Sequence, residues 1–207
     1  MSDDKVILFG GTFDPVHVGH TEVARFARDY KNARQVFFIP AKRSPLKGAM
    51  PRASDGDRLA MIRLAIGDYE SFDVTDWELR KPAPSYSLHT VEMFQRRFEQ
   101  AHLHWLVGAD GVDDLQHWYR ITEFLDACNV SVMYRAGYDP PDFRQYETVW
   151  GRERVEKLRK NVIPTPLIEV SSTEVRRRLR EGEPVKELLH PAVEQYIRRL
   201  NLYAEQK

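Results

Sequence analysis

The sequence predicts an α/β protein with a doubly wound, mainly parallel sheet, helices on both faces of that sheet, and a small C-terminal helical extension. Short, almost uninterrupted apolar segments alternate with segments of helical periodicity. Such apolar segments are typical of strands that are buried on both faces of a parallel sheet. The chain has 207 residues, a length that suits one domain, with a core over about 1–170 and a helical part over about 171–207.

The elements follow from the spacing of apolar residues and from the Gly and Pro residues between them. The predicted strands are Val6–Phe9, Val36–Ile39, Phe72–Leu79, Leu103–Val107 and Val130–Tyr134, with an extended segment at Val162–Val170. The predicted helices are Val18–Tyr30, Ser54–Tyr69, Leu88–Phe98, Ile121–Ala127, Arg152–Lys160, Thr173–Arg180 and Ala192–Leu200. In such a Rossmann-like arrangement, ligands bind outside the carboxyl ends of the strands.

Composition excludes several classes of protein. The 31 basic and 31 acidic residues give a formal net charge of zero, which argues against a general nucleic-acid binder, although Arg176–Arg178 is a local basic cluster. No apolar run approaches the ~18 residues of a membrane span. The single cysteine, Cys128, has apolar neighbours, so we expect a buried structural thiol. One cysteine also indicates a reducing compartment, and therefore a cytoplasmic protein.

The segment Gly10–His20, at the end of the first strand, has the features of a phosphate-binding loop. Its glycines allow backbone N–H groups to approach a ligand, and the following helix directs its positive end to the same place. His17 and His20 lie three residues apart, so both imidazoles project from one face, and Gly19 removes a side chain between them. The alternative is that two ordinary histidines cap the helix or bind a metal ion.

A second segment, Ser171–Arg176, has the features of another helix start. Ser171 and Glu174 have capping-box spacing, and the hydroxyls of Ser172 and Thr173 suit an anion. Arg176, one turn further, can reach the same anion with its planar guanidinium. The alternative is a well-capped helix with a basic surface.

Both segments resemble the signatures of one enzyme superfamily. Gly11–His20 meets every fixed position of Gly-x-Phe-x-Pro-x-His-x-Gly-His, the signature of the nucleotidyltransferases of α/β-phosphodiesterase type, and Ser172–Arg176 is similar to their second signature, Ser-Ser/Thr-x-x-Arg. The resemblance extends over nearly the whole chain to the bacterial nicotinate-nucleotide adenylyltransferase family. The further matching segments are Arg58–Ala65, Glu78–Arg80, Ser85–Thr90, Gly108–Asp110, Leu115–Trp118, Arg135–Gly137, Pro191–Ile197 and Leu202–Tyr203.

The resemblance implies transfer of the adenylyl group of ATP to nicotinate mononucleotide, giving deamido-NAD and pyrophosphate. It implies that catalysis rests on four residues: His17, His20, Thr12 and Arg176. It implies ATP binding by Gly10, Gly11, Thr12, Phe13, His17, His20, Gly108, Asp110, Ser171, Ser172, Thr173 and Arg176. Mg²⁺ is expected to enter with ATP, held mainly by phosphate and water, without a metal site made by the protein.

The expected acceptor site combines five residues: Lys47, Tyr86, Ser87, Trp118 and Arg135. Trp118 offers a flat face to a pyridine ring, and Tyr86 and Ser87 stand at a helix start that suits a carboxylate. Arg135 follows a strand and could hold the acceptor phosphate. On structure alone, Trp118 could instead be a core residue and Arg135 a surface residue.

Two departures from the family pattern leave the acceptor open. Leu46 replaces a His and His89 replaces an Asp, so the sequence does not separate nicotinate from nicotinamide mononucleotide. Phosphopantetheine, FMN and a cytidylyl transfer are further alternatives, as is a non-catalytic nucleotide-binding protein. Asp110 could serve as a helix N-cap instead of an adenosine contact. The sequence leaves the choice between a monomer and a homo-oligomer undecided.

Overall fold

The computed structural model describes residues 4–46, 49–135, 137–166 and 168–204. Its strands are β1 (Lys5–Gly11), β2 (Gln35–Pro40), β3 (Phe72–Val74), β4 (His102–Gly108), β5 (Asn129–Arg135) and β6 (Val162–Thr165). Its α-helices are α1 (Val18–Lys31), α2 (Asp55–Ile66), α3 (Ser87–Arg97), α4 (Ile121–Ala127), α5 (Glu147–Trp150), α6 (Arg152–Arg159), α7 (Ser172–Glu181) and α8 (Pro191–Arg199). Short 3₁₀ turns are formed by Ala109–Gly111, Asp113–His117 and Arg144–Tyr146.

The strands form one six-stranded sheet in the order β3-β2-β1-β4-β5-β6. β4 pairs with β1 and with β5, β5 pairs with β6, and all three pairs are parallel, with Leu8 opposite Trp105. This order is that of a doubly wound sheet, whose two halves grow outward from the middle and carry helices on opposite faces. The predicted Rossmann-like α/β fold is confirmed. The order reverses between β1 and β4, the switch point at which such sheets bind ligands.

The chain groups into two compact units, each made of three stretches. The first unit contains Met1–Gly10, Phe26–Phe37 and Tyr86–Leu167; the second contains Gly11–Arg25, Phe38–Ser85 and Ile168–Lys207. The first unit therefore carries β4, β5 and β6, and the second carries the loop after β1, helix α2 and the C-terminal helices α7 and α8. The prediction of one domain over 1–207 stays a prediction.

The predicted strand Phe72–Leu79 is wrong beyond Val74. The N–H of Thr75 still donates to the carbonyl of Phe38, but the Thr75 hydroxyl then accepts the N–H of Trp77 and turns the chain. A threonine hydroxyl that bonds its own backbone in this way competes with a sheet ladder. The extended segment predicted to reach Val170 is likewise a strand only as far as Thr165.

Cys128 is a buried structural residue, as expected. Its side chain is 4% exposed, and burial raises the pKa of the thiol to about 12. A thiol in that state is a poor nucleophile at neutral pH. Among the described residues, no helix has both the length and the apolar character that crossing a membrane requires.

We predict that Gly10→Ala destabilises the protein. A Cβ at Gly10 would overlap the ring of Trp105, with Cη2 at 3.1 Å, and Trp105 is itself buried against Phe124. Overpacking of this kind costs about 2 kcal/mol of unfolding free energy. Chemical denaturation measures the effect.

Gly56→Ala is the matched control, because its Cβ would meet nothing closer than the Ser54 hydroxyl at 3.8 Å, in helix α2. We expect Gly56→Ala to be as stable as the parent protein or more stable. Equal stability of the two variants would contradict the steric role of Gly10.

Candidate active site

The second unit places the two motif histidines side by side. The rings of His17 and His20 stack with centroids 3.6 Å apart and planes inclined by 26°. The backbone N–H of His17 donates to Nδ1 of His20 over 3.2 Å, so Nδ1 is the acceptor nitrogen. The neutral His20 ring therefore carries its proton on Nε2. The pair lies where the loop after β1 enters helix α1, whose first N–H groups favour an anion.

His17 is a buried, neutral imidazole. It is 7% exposed, and burial lowers its pKa from 6.5 to about 4. Its Nδ1 atom has no hydrogen-bond partner within the described part of the chain. At neutral pH, His17 thus offers hydrogen-bonding nitrogens and no positive charge.

The motif glycines make room for neighbouring side chains. A Cβ at Gly19 would lie 3.0 Å from Nδ1 of His17, and one at Gly11 would lie 2.8 Å from the Phe13 ring. We expected Gly19 to make room for a phosphate; in the structure the atom that a Cβ at Gly19 would crowd belongs to the His17 ring. Both glycines let the loop turn back closely on its own aromatic rings.

A buried arginine supports the loop from helix α2. Arg58 is fully buried and donates through Nη1 to the carbonyl of Thr12 over 2.8 Å and through Nη2 to Asp55 over 2.6 Å. Asp55 also pairs with Lys42 at 3.0 Å. Burial would raise the pKa of Asp55, but the hydrogen bonds from Lys42 and Arg58 outweigh it and hold that pKa below its usual value.

The second motif meets the first within the same unit. Ser171 caps α7 by accepting the N–H of Glu174, as its spacing predicts. Ser172 Oγ donates to the carbonyl of Pro15 over 2.9 Å, and Arg176 Nη1 donates to the carbonyl of Asp14 over 2.6 Å. Two side chains that we expected to bind phosphate therefore hold the backbone of the loop after β1.

Trp118, in the first unit, belongs to an aromatic cluster. It is half-buried. Its ring packs edge to face on Trp105, with ring centroids 6.2 Å apart, and its centroid lies 5.1 Å from that of Phe124. It follows the 3₁₀ turn Asp113–His117. It is thus partly a core residue and partly available to a flat ligand.

The predicted carboxylate-binding turn also lies in the first unit. Tyr86 is the N-cap residue of α3, makes no capping hydrogen bond with its side chain, and packs on the exposed Tyr119 at 4.5 Å. Ser87 is the first residue of the helix, and His89 lies in the first turn, edge-on to Tyr86. The first N–H groups of α3 thus lie beside aromatic rings.

The remaining predicted residues are placed as follows. Asp110 is exposed in the 3₁₀ turn Ala109–Gly111, where Gly108 is the N-cap residue, so Asp110 is not the cap. A Cβ at Gly108 would overlap the Asp110 carboxylate. The backbone of Arg135 ends β5. Lys47 lies outside the described residues.

The predicted site residues divide between the two units. Those of the second unit are Gly11, Thr12, Phe13, His17, His20, Ser171, Ser172, Thr173 and Arg176, and those of the first are Gly10, Tyr86, Ser87, Gly108, Asp110, Trp118 and Arg135. Within the parts of the chain that the structure describes, no three His, Cys, Asp or Glu side chains group to hold a metal ion.

Sequence reasoning missed three residues around the loop. Arg58, Asp14 and Tyr203 received no role, although all three take part in its hydrogen bonds. One signal could have found Arg58: it stands at an apolar position of α2, one turn before Met61 and Ile62, which are buried. Tyr203 falls in the family-like segment Leu202–Tyr203, but that match alone gave it no role.

Comparisons with known proteins agree with this geometry. The cytidylyltransferase-like family model matches residues 8–178. A protein of Methylacidiphilum infernorum named probable nicotinate-nucleotide adenylyltransferase is 35% identical over 202 residues, which are 96% of this chain and 92% of that protein. A protein of the same name from Rhodopirellula baltica is 35% identical over 185 residues, covering 89% of this chain and 86% of its own.

A solved structure shares the fold. Plasmodium falciparum nicotinic acid mononucleotide adenylyltransferase, complexed with NaAD, matches with a TM-score of 0.74 and 16% identity over 97% of each chain. This structural match shows the fold alone. The family model and the two relatives, which span most of the sequence, also show the family. This chain belongs to the cytidylyltransferase-like family and, within it, to the nicotinate-nucleotide adenylyltransferases.

Proposed function

We infer that this protein transfers the adenylyl group of ATP to nicotinate mononucleotide, forming deamido-NAD and releasing pyrophosphate in NAD biosynthesis. The observation that carries the inference is the stacked His17 and His20 pair at the start of α1, with the donors of α7 bonded to the same loop. The relatives that span the chain carry the name of this activity. Its single, buried Cys128 supports a cytoplasmic location.

The reaction needs alignment and charge stabilisation more than proton transfer. An oxygen of the acceptor phosphate attacks the α-phosphorus of ATP, and the bond from that phosphorus to the oxygen bridging to the β-phosphate breaks. The attacking phosphate is already ionised at neutral pH, so no general base is required. The protein's contribution is to hold the two phosphates in line and to stabilise charge on the transferring and leaving groups.

His20 is suited to stabilising charge on the transferring and leaving phosphates. Because its Nδ1 accepts the N–H of His17, Nε2–H is the ring donor that we assign to a phosphate oxygen. His17 contributes a hydrogen bond without a charge, since its pKa of about 4 keeps it neutral. Thr12 lies on the same loop, and the N-terminus of α1 supplies further N–H groups. These roles are part of the proposal.

The β- and γ-phosphates are assigned to Ser172, Thr173 and Arg176, with Ser171 at the cap. Ser172 and Arg176 already donate to loop carbonyls, so a bound phosphate would share their hydrogens or take them over. Mg²⁺ belongs to the substrate here and enters as MgATP. Gly108 and Asp110 remain assigned to adenosine.

The acceptor side rests on Trp118, Tyr86, Ser87, Arg135 and Lys47. The pyridine ring is assigned to the available face of Trp118, and its carboxylate to the first N–H groups of α3. An anionic carboxylate suits a helix N-terminus better than a neutral amide does. We therefore favour the acid over the amide as acceptor.

We predict that pyrophosphate release with ATP is fastest when nicotinate mononucleotide is the acceptor. The assay compares it with nicotinamide mononucleotide, phosphopantetheine and FMN, at equal MgATP. Greater kcat/KM for phosphopantetheine or FMN would contradict the proposed function. Greater kcat/KM for the amide would contradict the assignment of the carboxylate to α3.

We predict that His20→Ala lowers kcat about 100- to 1000-fold, because it removes one donor to charge that develops in the transition state. The loop around it is held by other residues, so the variant stays folded. His102→Ala is the control, since His102 begins β4 outside both motifs. Unchanged turnover in His20→Ala would contradict the role of Nε2.

We predict that His17 makes the protein less stable as the pH falls. Between pH 6.5 and about 4, the unfolded chain binds a proton that the folded chain does not, so the free energy of unfolding decreases on acidification. The full effect is about 3 kcal/mol and is absent above the unfolded pKa.

Thermal unfolding from pH 7.5 to pH 4.5 measures this slope. His17→Gln removes the titrating group, so its slope should be flatter than that of the parent protein. The same slope in His17→Gln as in the parent protein would contradict a buried neutral imidazole.

A further inference from the structure

The carboxylate of Asp14 ties several distant parts of the chain to the phosphate-binding loop. It is buried, and its Oδ2 accepts the N–H of Arg52 over 2.8 Å. Its Oδ1 accepts the N–H of Ala53 over 3.1 Å and the hydroxyl of Tyr203 over 2.7 Å. Asp14 is thus bonded to the segment that leads into α2 and to the C-terminal tail.

Tyr203 lies beyond the last helix, α8, in a conformation that needs support. Its φ angle is +66°, in the left-handed region that bulky side chains rarely adopt. Such a conformation persists when surrounding contacts hold it, and it is found most often at functional sites. The hydrogen bond to Asp14 is such a contact.

The Tyr203 hydroxyl is a dependable donor. Burial raises the pKa of Tyr203 well above its usual value, and the neighbouring Asp14 charge raises it further. The hydroxyl therefore keeps its proton throughout the working range of pH. A hydrogen bond from a neutral hydroxyl to a buried carboxylate is stronger than one between neutral groups.

Asp14 stands three residues before His17, inside the loop that the proposed reaction uses. The carbonyls of Thr12, Asp14 and Pro15 are already bonded by α2 and α7. The hydrogen bond from Tyr203 to the Asp14 carboxylate connects the same short segment, Thr12–Pro15, to the C-terminal tail as well. A small displacement of this loop would move the imidazoles relative to the α-phosphate, and rates are steeply sensitive to such displacement.

We propose that Tyr203 is a positioning residue of adenylyl transfer, which acts through the Asp14 carboxylate to keep the phosphate-binding loop aligned. The proposal rests on the proposed function and adds to it a residue of the C-terminal tail. It differs from a purely structural role, in which Tyr203 would anchor the tail and affect stability alone.

The chain contains a matched control pair. Tyr196, on α8, donates its hydroxyl to Oδ1 of Asp57, on α2, over 2.9 Å. The chemistry is the same as in the Tyr203–Asp14 bond, and both pairs join the C-terminal part to the rest of the second unit. Asp57 lies outside both motifs. The Tyr196–Asp57 bond therefore measures how much such a bond stabilises the protein when it does not contact the loop after β1.

The experiment compares Tyr203→Phe with Tyr196→Phe in the full chain. Each removes one hydroxyl and keeps the ring. For Tyr203→Phe we expect kcat to fall about tenfold and affinity for a non-hydrolysable ATP analogue to fall about threefold. For Tyr196→Phe we expect a similar change in melting temperature, with unchanged kcat and unchanged analogue affinity.

Double-mutant cycles separate positioning from stability. Tyr203→Phe combined with Asp14→Asn should lose less activity than the product of the two single losses, because Tyr203→Phe removes and Asp14→Asn weakens the same bond. Tyr196→Phe combined with Asp57→Asn should show coupling in melting temperature and none in kcat. If Tyr203→Phe does not fold, reduced turnover in folded Asp14→Asn still supports the proposal, and parent turnover in that variant overturns it.

The outcomes also keep the two inferences apart. Parent turnover and parent analogue affinity in folded Tyr203→Phe would overturn the positioning role and leave the proposed function intact. Absence of dinucleotide product from the parent protein with every acceptor would overturn the proposed function. In that case, the affinity of Tyr203→Phe for the ATP analogue still tests whether Tyr203 positions the loop, because binding of the analogue requires no acceptor.

Discussion

The structure depends on how the short segment between β1 and α1 satisfies its backbone carbonyls. Thr12–Pro15 turns out of a strand before a helix begins, so its carbonyls have no partners in regular structure. Buried carbonyls of this kind require donors from elsewhere. Arg58, Ser172 and Arg176 supply them, from helices that are far apart in sequence. The shape of the loop between β1 and α1 is therefore set by α2 and α7 as much as by its own residues.

Burial beside this loop decides what its histidines can do. The guanidinium of Arg58 is buried. Its Nη1 and Nη2 atoms donate to Thr12 and Asp55, and its Nε atom has no hydrogen-bond partner in the described part of the chain. His17, also buried, stays neutral. Oriented N–H groups that are held rigidly stabilise developing charge well in a site that excludes water. A buried, neutral imidazole at His17, stacked on His20, suits a reaction whose nucleophile is already ionised and needs no base.

The glycines show where local sequence reasoning stops. In the first motif, Gly10 and Gly19 lack side chains, and we interpreted this as room for a ligand; Gly108 we assigned to adenosine binding through the family resemblance. The structure adds a neighbour in each case: the Trp105 ring, the His17 ring and the Asp110 carboxylate. A sequence shows that a Cβ is missing, but the atom that the Cβ would meet is decided by packing.

The sequence by itself determined the alternation of strands and helices, because apolar periodicity records which faces are buried. It also pointed to the loop after β1 and to the start of α7 as candidate anion sites, because glycines, histidines and a capping box act over a few residues. Tertiary structure alone decided the support from Arg58 and the bond from Tyr203 to Asp14. These depend on hydrogen bonds between residues distant in the chain, and no local pattern specifies which distant donor reaches a given acceptor.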